Sequence, residues 1–149
     1  MKIFVMRCLF WLSWPLIFLY TPTRHSARIL VVRNNEFLAV KPYFGGGWVQ
    51  LPGGGIKHGE LAKSAAIREL AEEVGIIKSD VTHLIPSKVY FERGLFLRYE
   101  IFVCSLDKNV PIKMNRELIS YQWLPLHERA SLSKHIQESL SVFDTSSLV

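Results

Sequence analysis

Three glutamates fall within five positions of one short stretch, Glu69, Glu72 and Glu73, and a run of Pro52, Gly53, Gly54 and Gly55 lies upstream of them. With Glu69 at the origin of a helical wheel and an advance of about 100° per residue, Glu72 and Glu73 lie within about 60° on either side. The three carboxylates then share one face. Ile67, Leu70, Ala71 and Val74 follow the i, i+3, i+4, i+7 spacing and fall on the opposite side, the pattern of a helix laid on a sheet. Carboxylates so close repel one another, and a solvated helix more often pairs them with Lys or Arg one turn away. A hard divalent cation removes the conflict. Mg²⁺ takes oxygen ligands in octahedral geometry and is commonly shared between protein carboxylates and substrate phosphates. Glycines ahead of the helix let backbone carbonyls approach the same ion and leave room for phosphate oxygens. The residues alone also allow a plainer reading, a solvated acidic face after a Gly-rich turn.

The wider spacing separates the two readings. Gly54, Glu60, Arg68, Glu69, Leu70, Glu72, Glu73, Gly75 and Ile76 stand in the order G-x5-E-x7-R-E-L-x-E-E-x-G-I. This resembles the Nudix box at every fixed position, nine positions over twenty-three residues. The resemblance extends over residues 27–141. It implies the Nudix fold, an α/β/α sandwich around a mixed β-sheet, and hydrolysis of a nucleoside diphosphate linked to another moiety with Mg²⁺ or Mn²⁺. Carried onto this chain, it makes Glu69, Glu72 and Glu73 metal ligands, joined by the carbonyl oxygen of Gly53. Arg68 would orient the box glutamates through ion pairs, and Glu60 would anchor the loop and touch the metal shell. The attacking water needs a base, and the resemblance points to Glu117, just ahead of a strand expected over 118–124. Its rival is water activated at the metal with help from a box glutamate such as Glu72. The catalytic set is thus Glu117, Glu72 and Arg68.

Substrate identity is not legible. Lys41, Lys57, Arg93 and Arg98 are of a type that meets phosphate, but surface Lys and Arg are mostly just solvated. Trp48, Tyr90, Phe91, Phe96 and Trp123 are of a type that stacks a base, yet aromatics in strands are more often core. His58 lies in the box loop, and the five histidines show no metal-ligand spacing. The candidate substrates are nucleoside triphosphates, nucleotide sugars and ADP-ribose. The alternatives are a non-catalytic module that senses a nucleotide, and hydrolysis of an RNA 5′ end. An intact box favours catalysis over sensing. Nucleic acid is disfavoured because no basic run with interleaved aromatics is present.

The elements that must position these residues can be read from turn signals and periodicity. The run ILVV ending at Arg33, then Asn34-Asn35, then FLAV before Lys41 reads as a hairpin. A loop follows to Gly47, a short strand covers Trp48 to Leu51, and Pro52 to Gly55 is loop again. A helix is expected from about Glu60 to Val74, bounded by Gly59 and by Gly75 in the left-handed capping position. Strands are expected over 88–92, 95–105 and 118–124, and a closing helix over 132–143.

The chain has 149 residues, which suits one domain over 27–143 behind a hydrophobic segment at 1–22. Its formal charge of +5 favours anionic partners. Cys8 and Cys104 form neither a disulfide framework nor a metal spacing, which fits a reducing compartment, the cytoplasm. Residues 8–20 carry no charge but fall short of the roughly 20 apolar residues of a membrane span. No small-x-small cleavage site follows them. An all-round apolar surface must be covered, either by the domain or by the inner face of a membrane through residues 3–20. Oligomeric state is not encoded in any of these signals.

Overall fold

A computed structural model of the chain describes residues 25–43, 48–92, 95–107, 110–128 and 132–146. The segment at 1–22 with Cys8, most of the loop expected before Trp48, and Arg93 lie outside the described residues.

β1 (His25–Arg33) and β2 (Glu36–Pro42) form the expected hairpin. Asn34 and Asn35 both have positive φ, 44° and 68°, the twist that a two-residue turn needs to continue into paired strands. β1 runs parallel to β5 (Leu95–Ser105) along one edge. Its other edge is divided. β2 pairs only with the end of β1 at Val32 and Arg33, while β3 (Gly53–Gly55) pairs with Ser26, Ala27 and Arg28. Between these two contacts Ile29 N donates to Pro52 O at 2.9 Å, and Val40 and Gln50 exchange two hydrogen bonds. The segment 50–55 is therefore wedged where β1 and β2 part. β4 (Thr82–Glu92) pairs with β5, and β6 (Leu118–Pro125) with β2, giving a mixed six-stranded sheet in the order β4-β5-β1-β2-β6 with β3 beside β1.

Side chains alternate across this sheet, as the twofold repeat of a strand requires. Ala27, Ile29, Val31, Leu38, Val40, Phe102 and Cys104 face α1 (Ala62–Val74) in one core. Leu30, Val32, Phe37, Ala39, Tyr99 and Ile101 face α2 (Lys134–Ser146) in the other, with Ile136 and Leu140. A helix on each side of a mixed sheet is the α/β/α sandwich.

Four local expectations are corrected. Trp48 to Leu51 is not a strand; only Gln50 forms a bridge, and the strand is the glycine run 53–55 that was read as loop. β4 begins at Thr82 rather than 88, because irregularities at His83/Ile85 and Ile85/Lys88 break its period. α1 begins at Ala62 rather than Glu60, since residues 57–60 close a turn in which Glu60 N donates to Lys57 O at 3.0 Å. Its end is as expected, with Gly75 at φ 71° donating its N–H to Ala71 O. Finally, the buried face of α1 is Ala65, Ala66, Leu70, Val74 and Glu73, with Ile67 and Ala71 only half-buried. The helix is rolled so that its carboxylate face rests partly on the sheet. A strand of bare glycines makes that approach possible: a Cβ on Gly54 would stand 2.4 Å from the carboxyl carbon of Glu69.

Candidate active site

Arg68 is the hub of the site. Its Nε donates to Glu60 Oε1 at 2.8 Å and its Nη2 to Glu60 Oε2 at 3.0 Å, a two-pronged grip on one carboxylate. Nη1 reaches Glu69 Oε1 at 2.6 Å and Glu72 Oε2 at 3.1 Å, and Nη2 reaches the carbonyl of Gly55 at 3.1 Å. One guanidinium thus ties α1 to the loop and to β3. The second oxygen of that grip, Oε2 of Glu60, also accepts from Lys57 N at 2.9 Å, closing the turn. Hydrogen bonding to Arg68, then to Lys57, holds the Glu60 carboxyl down at about 2. Arg68 is pushed above its ordinary value by the same bond to Glu60 and by Glu69. Arg68 and Glu60 thus join the loop before α1 to the box glutamates.

Glu73 is different. It is 8% exposed, and burial pushes its carboxyl up to about 7. The N–H of Gly53, donating to Glu73 Oε2 at 2.8 Å, and the charge of Arg28 oppose that rise, while Glu69 and Glu117 add to it. Gly53 has φ 135° and a Cβ there would strike the Ala27 carbonyl oxygen at 2.2 Å, so the turn that aims this N–H needs glycine. On its other side, the Gly53 carbonyl accepts from Arg28 Nη1 at 2.5 Å, and Leu51 O accepts from the same nitrogen at 3.2 Å. A carbonyl has two lone pairs, so Gly53 O retains one for a cation.

Glu117 is exposed at the start of β6, near enough to Glu73 for its charge to matter there. Asn115 positions it: Asn115 Oδ1 accepts from Glu117 N at 2.9 Å, and Asn115 N donates to the main-chain oxygen of Glu73 at 2.9 Å. Tyr43 N in turn donates to Glu117 O at 2.9 Å. Arg28 and Asn115 were missed in the sequence. Arg28 left a signal, a charge between Ala27 and the apolar run Ile29 to Val32, whereas Asn115 left none.

Other candidates are dispersed. Lys57 lies beside Glu60, while Lys41 lines a shallow cleft with Val49, Ser120 and Tyr121 that holds none of the box carboxylates. Tyr90 is core as expected, at 5% exposure, and Trp123 is half-buried under the guanidinium of Arg33. Phe91, Phe96 and Trp48 depart from expectation and are exposed.

Among the described residues no three His, Cys, Asp or Glu side chains converge into a ready cation cage. The reason is visible: Arg68 engages Glu69 and Glu72, and Glu73 is turned to Gly53 N. The donor set nevertheless fits a hard divalent cation in type and charge. Glu60, Glu69 and Glu72 gather on the Arg68 guanidinium, and the Glu73 carboxyl, raised chiefly by burial and further by Glu69 and Glu117, lies beside them.

Comparison with known proteins identifies the family. The NUDIX domain family matches residues 22–144. An RNA pyrophosphohydrolase of Actinobacillus succinogenes is 41% identical over 73 residues, 49% of this chain and 34% of that protein. Nucleoside triphosphatase NudI of Escherichia coli is 32% identical over 91 residues, 54% of this chain and 63% of that protein. The chain thus spans about a third of the length of the first of these relatives. In structure, the C. elegans Ap4A hydrolase binary complex superposes with a TM-score of 0.73 at 20% identity, covering 85% of this chain and 98% of that one, a likeness of fold. With its box intact and its sandwich assembled around that box, the chain belongs to the Nudix hydrolase family.

Proposed function

We propose that the protein is a divalent-metal-dependent hydrolase that cleaves a diphosphate linkage in a nucleotide-like substrate. The observation that carries this reading is the rolled helix α1, which presses its carboxylates onto a side-chain-free strand while Arg68 gathers Glu60, Glu69 and Glu72 beside it. A helix selected only for packing would turn those charges to water.

Glu69, Glu72 and Glu73 with the Gly53 carbonyl would hold Mg²⁺ or Mn²⁺. Such an ion, when bound, neutralises charge on the phosphate oxygens and polarises the phosphorus centre. The protein's own work is positional. Arg68 fixes the rotamers of Glu69 and Glu72, so little reorganisation remains at the moment of reaction. Gly53 is held between Glu73 and Arg28, and the lack of a side chain lets it lie close against β1 in that position. Glu117 stands exposed beside the cluster, able to accept the proton of an attacking water, and Asn115 sets its position through the backbone.

The names of the relatives suggest two substrate classes, RNA bearing a 5′ phosphate chain and free nucleoside triphosphates. The small nucleotide is favoured because the described site offers no aromatic and basic track alongside it. The test is a panel of nucleoside triphosphates, nucleotide sugars, ADP-ribose, dinucleoside polyphosphates and a 5′-triphosphorylated oligonucleotide, each with Mg²⁺, Mn²⁺ or chelator. Metal-dependent phosphate or pyrophosphate release from one class supports the reading and names the substrate. Tight binding with no cleavage of any would replace it with a nucleotide sensor.

A further inference from the structure

The β4–β5 hairpin has two unlike sides. On one, Tyr90 and Tyr99 are each 5% exposed and pack against His135 of α2. On the other, Val89, Phe91 and Phe96 are 44%, 56% and 63% exposed. Register places these three together, since Phe91 pairs with Phe96 and Val89 with Arg98. The two phenyl rings stand 5.0 Å apart, forming one apolar patch. α1 lies over β1, β3 and the end of β5 at Phe102 and Cys104, and among the described residues no helix covers this part of the same face. Contiguous aromatic surface of this kind is seldom left to water.

The chain enters the sheet beside that patch. His25, the first residue of β1, is in register with Arg98, two residues along β5 from Phe96. Residues 3–20 precede it by a connection of only four residues and contain a single charge, Arg7. We propose that residues 3–20 dock on this bare face of the β4–β5 hairpin and cover Val89, Phe91 and Phe96. Two apolar surfaces that must each be covered are tethered at close range, and a short tether gives the segment a high effective concentration at the patch. A polar rim borders it: Glu100 meets His25 Nε2 at 3.1 Å and His83 Nε2 at 3.5 Å, and Arg98 lies beside Phe96 on the same face. An apolar centre with a polar margin is the anatomy of a packed interface. The inference is independent of the catalytic reading.

The test uses the full chain with a benzophenone amino acid at position 96, irradiated without lipid in an equal mixture of unlabelled and ¹⁵N-labelled copies. Cross-linked peptides containing residues 3–20, joined within one copy, are the expected result. A benzophenone at Ile77, 92% exposed after α1, serves as the control and should give at least tenfold less of that product. The proposal is overturned by equal labelling from Ile77, by cross-links only between copies, by cross-links that move to lipid when phosphatidylglycerol vesicles are added, or by none reaching the segment. A chain that stays in solution only in detergent overturns it as well.

Discussion

The two faces of the sheet both bury polar groups, and they satisfy them differently. Beneath α2, His135 is 1% exposed but its Nδ1 lies 3.0 Å from Ser133 Oγ, and Ser139 Oγ donates to the main-chain oxygen of His135 at 2.6 Å. These two contacts are neutral and lie within a few residues of His135. Beneath α1, Glu73 is nearly as buried, and a single backbone N–H with the charge of Arg28 opposes the cost of ionising it. Ionising Glu73 there is costly, and the proposed cation would offset that cost. A helix packs on either side of the sheet, but among the described residues it is α1 that buries a carboxylate against it.

The comparison breaks first at Glu73. Replacing Glu73 with Gln should lower kcat/KM at least about a thousandfold, or about 4 kcal/mol of transition-state stabilisation. On the other face, Leu140→Ala should lower unfolding free energy by about 2–5 kcal/mol in denaturant titrations while leaving kcat within about twofold. Equal losses of activity from both changes would erase the distinction.

A second test reads the stored charge directly. The folded pKa of Glu73 lies above its ordinary value of 4.5, at about 7, so its protonated form is the one the fold favours. The stability this contributes is complete below about pH 4.5 and is lost as pH rises through about 7, a loss on the order of 3 kcal/mol. Metal-free protein should therefore melt lower at pH 8 than at pH 5. Glu73→Gln should flatten that dependence, and Mg²⁺ should raise Tm at pH 8 in the unmodified protein only. Glu60 titrates the opposite way, its contribution present above 4.5 and lost as pH falls through about 2, so it adds nothing between pH 5 and 8, and the Glu73→Gln comparison assigns the share due to Glu73.

Smaller effects sharpen the account. Arg68→Lys keeps the charge but not the fork that spans Glu60 and Glu69, and kcat should fall about tenfold to a hundredfold with Tm changed by only a few degrees. The smallest change belongs to the hairpin: Asn35→Gly relieves a positive φ and should add under about 1 kcal/mol of stability with no effect on turnover.

The legibility of the sequence follows the same division. α1 and its end were readable because carboxylate spacing and Gly75 are local signals, and the first hairpin because Asn34-Asn35 suits only a tight turn. β3 was not readable, since three glycines have no strand preference of their own; the edge of β1 recruits them by close approach. The start of β4 was hidden by its irregular pairing around Pro86. The burial of Glu73 was hidden for a related reason: a helical wheel assumes a sheet with side chains, and over bare glycine the helix settles lower and turned. Arg28 and Asn115 act on the site through backbone atoms, which no spacing of side-chain types reveals.

The most direct test of the central claim is a Mn²⁺ titration followed by electron paramagnetic resonance at pH 7, in the protein and in Glu73→Gln, without substrate. The account predicts saturable binding to the unmodified chain, with proton release from Glu73, and at least about tenfold weaker binding to the variant. Binding of equal strength in both would contradict it, because the charge stored under α1 would then have no part in holding the ion.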